Sequence, residues 1–217
     1  MVYYSDGRKE ARLDRASLRA LANLISDAFI EHDNWKRVIA DTARRKRGLY
    51  ALFYFISSVI NRYGHIVVSV YEGRVVAYTT FMENSDHAQV NFCRVLRCGA
   101  LPWALSFILT LRPRELAAMQ EFNTSIEAYY ARQNIDPGGL HLYTTAIEPS
   151  LKGRGIMKSS FAYAEECFRA AKFSSYMLET TDPTNIPVYE HFGLELTGQE
   201  TMARTDRSVW FFKKALV

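Results

Sequence analysis

The chain has 217 residues, 48% hydrophobic and 23% charged, which supports one sizeable core and excludes a disordered or collagen-like chain. Its 27 Lys and Arg against 23 Asp and Glu leave a formal net charge of +4, comfortable for a phosphorylated ligand and too little to argue for DNA. The three cysteines, Cys93, Cys98 and Cys167, show no zinc-like spacing and read as reduced thiols of a cytoplasmic protein.

The first ten residues lack the apolar core of a secretory signal. The most apolar stretch, Leu101 to Leu111, falls short of the roughly 20 residues a spanning helix needs, so no membrane segment is expected. No repeat or Gly/Ser linker divides the chain, and a single domain over residues 1–217 is expected. Asp14 and Ser17 are both placed to cap a helix carrying Leu21, Leu24, Ile25, Ala28 and Phe29 on one stripe. A second helical region runs from about Trp35 to Tyr63, with a break expected near Gly48 and with Arg44 to Arg47 on a solvated face.

The period then changes to two. Ile66–Tyr71 and Val75–Phe81, joined through Glu72-Gly73-Arg74, predict a hairpin. Residues 86–133 return to helical patterning, interrupted at Pro102 and at Arg112-Pro113, and Asp136-Pro137-Gly138-Gly139 marks a turn. A strand (Leu140 to Ile147), a helix (Gly155 to Ala171), a strand (Ser175 to Thr180), a short helix (Asn185 to Phe192) and strands near Leu194–Met202 and Ser208–Lys213 complete the pattern. This order predicts a mixed α/β sheet flanked by helices, with a helical insertion at about residues 84–139.

Chemistry concentrates after the strand ending at Ala146-Ile147. Lys152-Gly153-Arg154-Gly155-Ile156-Met157-Lys158 is a glycine-containing, cationic loop that opens a helix. Free N–H groups and the helix dipole make such a start an anion cradle suited to a pyrophosphate. It fits neither the dinucleotide fingerprint nor the P-loop, since a third glycine and a Gly-Lys-Ser/Thr ending are both absent. Downstream, Leu178-Glu179-Thr180 precedes Asn185, Pro187, Tyr189, Glu190 and Gly193. Together these segments resemble the GNAT superfamily of acyl-CoA N-acyltransferases, closest in motif to the branch around puromycin N-acetyltransferase. The likeness is strong over residues 140–214 and weak over residues 84–139, the acceptor-side part. Lys152 stands where the family has Arg or Gln, and Met157 where it has Gly or Ala.

The resemblance implies a mostly antiparallel, splayed sheet. It implies that Ala146 and Ile147 pair their backbone with the pantetheine arm, and that Lys152, Gly153, Arg154, Gly155, Ile156, Met157 and Lys158 hold the pyrophosphate of acetyl-CoA. Asn185 would bond the coenzyme, and Tyr189 would protonate the departing thiolate. The acyl group would pass directly to a primary amine, with no metal, and a homodimer is compatible with the pattern. Glu179, at a strand end, is the candidate base, with a purely structural carboxylate an equal reading. His65, His87 and His141 have no supporting pattern, and His191 points to another helix face than Tyr189. Phe53, Tyr54, Phe55, Trp103, Phe107, Tyr129 and Tyr130 read chiefly as core. Two rivals stay open: a coenzyme-binding module of the same fold without catalysis, and a basic nucleic-acid or membrane-surface protein using Arg44 to Arg47.

Overall fold

The computed structural model describes residues 1–87, 92–133, 135–202 and 207–216. Asp14 accepts the Ser17 N–H at 2.8 Å and caps α1 (Arg15–Phe29), which buries Leu18, Leu21, Ala22 and Ile25 at helical spacing. Next come α2 (Asp33–Val38) and α3 (Thr42–Tyr63), the latter capped by Asp41. The break expected near Gly48 lies instead at residues 39–41, and α3 runs straight through the glycine. A Cβ at Gly48 would sit 2.9 Å from the Thr110 hydroxyl oxygen, so the missing side chain serves close packing and does not end the helix.

The basic run departs from a solvated face. Arg45 is 3% exposed and donates to the carbonyls of Ile30, Ile39 and Ala40, tying the ends of α1 and α2 to α3. Arg44 pairs with the buried Glu115. Five guanidinium donors can satisfy several helix-end carbonyls at once, which is why an arginine is tolerated there.

The hairpin forms as β2 (His65–Tyr71) and β3 (Arg74–Glu83), turning at Glu72 and Gly73, both with positive φ (49° and 74°). A short β1 (Val2–Ser5), not evident from the sequence pattern, pairs antiparallel with β2 from Val2↔Ser69 to Ser5↔Ile66. The helical insertion comprises α4 (Asn84–His87), α5 (Phe92–Arg97), α6 (Leu101–Thr110) and α7 (Pro113–Arg132). Pro102 and Pro113 do not interrupt helices. They lie in the first turns of α6 and α7, where a missing N–H costs no bond. The remaining elements are β4 (Leu140–Ile147), α8 (Ile156–Ala170), β5 (Ser175–Thr180), α9 (Ile186–His191), β6 (Glu195–Met202) and β7 (Arg207–Ala215).

The strands form one sheet in the order β1-β2-β3-β4-β5-β7-β6, antiparallel except where β4 meets β5. This is the expected mixed, mostly antiparallel sheet flanked by helices. Phe161 and Phe168 of α8 and Tyr189 of α9 pack on Phe81, Leu142, Leu178 and Phe212. Leu21 and Ile25 of α1, with Leu49 and Phe53 of α3, pack on Ile66, Val68, Tyr78 and Ala146. Burying one such side chain contributes about 1.5–3 kcal/mol. α7 lays Ile126, Tyr129 and Tyr130 over Met202, Val209 and Phe211, so the helical insertion returns to the sheet beside β5. Among the described residues, no helix is long and apolar enough to cross a membrane.

Candidate active site

β4 and β5 start side by side and then part. Their register holds only at Leu140↔Tyr176 and His141↔Met177. The turn before β4 pins these starts: Asp136 accepts the Gly138 N–H at 2.9 Å and bonds the Ser174 hydroxyl, and Ser174 N–H donates to Gly138 O at 3.2 Å. A Cβ on Gly139 would fall 2.8 Å from the Ser175 Oγ and 2.9 Å from the Asn84 Nδ2, so this approach requires glycine. Past the pin, Thr80↔Thr144 stands next to Phe81↔Leu142, leaving Tyr143 as an extra residue bulged out of β4. The far end of β4 therefore keeps its ladder with β3 and has none with β5.

Ala146 and Ile147 both lie on this unladdered end. Glu148 N–H donates to Val76 O at 2.8 Å, across to β3. Strand alternation then turns the backbone groups of Ala146 toward β3 and those of Ile147 and Thr145 toward the gap. The Ala146 methyl is buried against the α1–α3 side.

The loop after β4 reaches α8 through Gly153 and Gly155, at φ of 78° and 75°. Neither has an atom within 4 Å of a built Cβ, so the left-handed backbone, and not crowding, calls for glycine. No side chain caps α8. The first amide of α8 bonded back to the loop is Ser159, which donates to Gly155 O at 3.0 Å. Among the described residues, the N–H groups of Gly155, Ile156, Met157 and Lys158 have no protein acceptor. Lys152, Arg154 and Lys158 stand exposed around them, while Met157 turns half-buried onto the core of α8.

Glu179 lies on β5 at the gap, where its Oε2 accepts from the Tyr130 hydroxyl at 2.6 Å and meets His141 Nε2 at 2.7 Å. Thus α7, β4 and β5 each bring one member of a hydrogen-bonded trio. Burial and then the Glu179 charge push the Tyr130 phenol far above its ordinary range, so it stays a donor. Tyr189 is 8% exposed, packs its ring on Phe212 at 5.4 Å, and has no side-chain hydrogen bond among the described residues. Burial raises its pKa well above the usual phenol, and the Glu179 and Asp182 charges raise it further. The phenol therefore keeps its proton at neutral pH.

Asn185 closes a 3-10 turn (Pro183–Asn185) and occupies the N-cap of α9, so that helix starts one residue later than expected. Its Nδ2 donates to Thr180 Oγ1 at 3.2 Å. α2 docks on the same loop, with Asn34 bonded to Thr181 and His32 Nε2 3.8 Å from Asp182 Oδ2.

Of the other histidines, His65 sits with Tyr4 and Glu83 on β1, β2 and β3, two strands from His141, and His191 is exposed. The His87 side chain lies outside the described residues. Tyr130 was legible only as a core aromatic. Its partner Glu179 is 49 residues away, and no local pattern links them.

No protein-family model and no curated protein sequence matches the chain. Solved structures do. A GNAT-family protein from Desulfovibrio desulfuricans superposes with a TM-score of 0.54 at 9% identity, covering 100% of both chains. The ribosomal-protein-S18-alanine N-acetyltransferase of Escherichia coli gives 0.54 at 9% identity, over 100% of this chain and 94% of that one. An aminoglycoside 6'-N-acetyltransferase solved with coenzyme A gives 0.54 at 11% identity, over 99% and 97%. The fold is the one these acetyltransferases share.

Proposed function

We propose that the chain is a GNAT-type N-acetyltransferase that moves an acetyl group from acetyl-CoA to a primary amine, with a small molecule as acceptor. The observation that carries this reading is the pinned, bulged β4–β5 gap leading into a helix start with unpartnered amides. The gap offers backbone groups to an extended arm, and the helix start suits a pyrophosphate. The puromycin-like motif, Leu178-Glu179-Thr180 followed by Asn185, Pro187 and Tyr189, supports the same reading at branch level.

Bound acetyl-CoA would supply an acyl thioester. The chain's residues do the rest. The amides of Gly155, Ile156, Met157 and Lys158, with Lys152, Gly153 and Arg154, hold the pyrophosphate. Ile147, flanked by Ala146, pairs with the pantetheine arm, and Asn185 bonds it from the other side. Glu179 attracts the ammonium of the acceptor and takes its proton, while His141 and Tyr130 keep that carboxylate oriented. Tyr189 gives its proton to the departing sulfur.

Acetyl-CoA at a hundred times its Kd stabilises the chain by about 2.7 kcal/mol, which raises Tm by roughly 5–10 °C. Gly155→Glu is expected to abolish that shift, because it places a charge and a side chain in the cradle. An unchanged shift in the variant would move the coenzyme away from this loop. Amine-dependent thiol release across a panel of acceptors separates the enzyme from a coenzyme-binding module, which would bind and release nothing.

A further inference from the structure

Apart from the loop before α8, positive charge also collects on α2, α3 and α7. A cleft of about 710 Å³ between α2, the start of α3 and the start of α7 is lined by Arg37, Arg44, Arg112 and Arg114, facing Asp41 and Glu115. Both carboxylates are already committed. Glu115 is 6% exposed and accepts two bonds from Arg44 at 2.6 Å and one from the Arg112 N–H at 2.7 Å. Asp41 accepts the Arg44 N–H at 2.6 Å as the cap of α3. Arg44 in turn donates to Thr110 O at 3.0 Å, so its guanidinium is fixed in the wall of the cleft. Glu115 is held below the ordinary carboxylate range by Arg44, and Arg44 is raised by Glu115, so this pair stays charged.

The guanidiniums of Arg37, Arg112 and Arg114 make no ion pair among the described residues, and all three are exposed. Like charges converging on one concavity repel, and an oxyanion between them turns that repulsion into attraction. Planar guanidinium forks match oxyanions bidentately, and a phosphoryl group carries the double charge that this cleft lacks. Glu115 in the cleft wall and Tyr130 at the gap are fifteen positions, about 22 Å, apart along α7, while α2, which carries Arg37, also docks on the Thr181–Asp182 loop.

We infer that the arginine cleft binds a phosphoryl oxyanion, separately from the loop before α8. The inference does not depend on acyl transfer. The test is calorimetric titration of the full chain with inorganic pyrophosphate, in the Gly155→Glu background so that the α8 loop is silent. Binding is expected to persist there and to weaken at least about tenfold when Arg112→Ala and Arg114→Ala are added, or Arg37→Ala alone. All three side chains are exposed, so the fold is expected to survive, with a thermal midpoint as the check. No heat in the Gly155→Glu protein up to about 10 mM pyrophosphate, or binding indifferent to the arginines, overturns the site.

Vesicles of phosphatidylglycerol and of phosphatidylcholine identify the source, since α6 exposes Leu105, Ile108 and Leu109 in the preceding segment. Sedimentation with the anionic vesicles alone, lost with Arg112 and Arg114, assigns a lipid phosphate. Pyrophosphate binding without sedimentation assigns a soluble phosphorylated compound.

Discussion

Two clusters of the same three residue types sit at different places in the sheet. Tyr130, His141 and Glu179 meet at the β4–β5 gap, with the carboxylate in the middle at 2.6 Å and 2.7 Å. Tyr4, His65 and Glu83 meet on β1, β2 and β3, with the histidine in the middle, 2.6 Å from the Tyr4 hydroxyl and 3.6 Å from Glu83 Oε1. At the second trio the neighbouring ladders run up to the cluster, β1–β2 as far as Ser5↔Ile66 and β2–β3 as far as His65↔Phe81. Around the first, the ladder stops one register pair after it begins. Side-chain chemistry is thus nearly constant while the backbone differs. A reacting group fits only where strands leave room and free amides, and the missing hydrogen bonds between β4 and β5 set the two clusters apart.

The sharpest contrast comes from neutralising each carboxylate. Glu179→Gln is expected to lower kcat by about 100-fold or more, the scale of a lost general base, while Glu83→Gln leaves turnover unchanged. Coenzyme release with an acceptor from the amine panel measures both. Turnover of the Glu179 variant within about twofold of wild type would make Glu179 a structural carboxylate like its counterpart.

Tyr189→Phe is expected to cost at least about tenfold in kcat, with KM for acetyl-CoA little changed, because the ring packing on Phe212 is kept and only the proton is lost. Single-turnover kinetics checks that product release is not masking the step. Full activity in the single-turnover regime would leave water as the proton donor.

The smallest effect belongs to the second cluster, and it concerns stability. Burial lowers the pKa of His65 below its ordinary value, against the opposing pull of Glu83 and Asp6. Tyr4, beside it, is raised and stays neutral. The unfolded chain therefore takes the His65 proton first, near pH 6.5. The stabilising contribution is complete above that pH and is lost as pH falls below it, by at most about 1.4 kcal/mol per pH unit. Denaturant melts at pH 7, 6 and 5 are expected to show a shallower decline for His65→Gln than for wild type. Parallel declines would contradict the assignment.

The sequence was informative where interactions are local. The loop from Lys152 to Lys158, the hairpin, and the boundaries of β4 and β5 follow from glycines, alternation and turn residues within a few positions of one another. Long-range partners set the features that were missed. β1 is four residues whose pairing strand lies more than sixty residues downstream, so its pattern carries little signal alone. Arg45 looked solvated because the carbonyls it satisfies belong to the ends of other helices. Gly48 looked like a helix end because the Thr110 that approaches it is far along the chain. The Tyr130–Glu179–His141 trio depends on α7 returning to the sheet, which no spacing in the sequence announces.

The pin at Asp136, Gly138 and Gly139 makes the parted strands a lever. The seven steps from Leu140 to Ile147 form an arm of about 23 Å, so a rotation of 3° at the fulcrum moves the far end by roughly 1 Å. Misplacement on that scale is enough to cost about 100-fold in rate. Small residues packed between Ser174, Ser175 and Asn84 therefore set where the far end of the strand, with the backbone groups of Ile147, comes to lie.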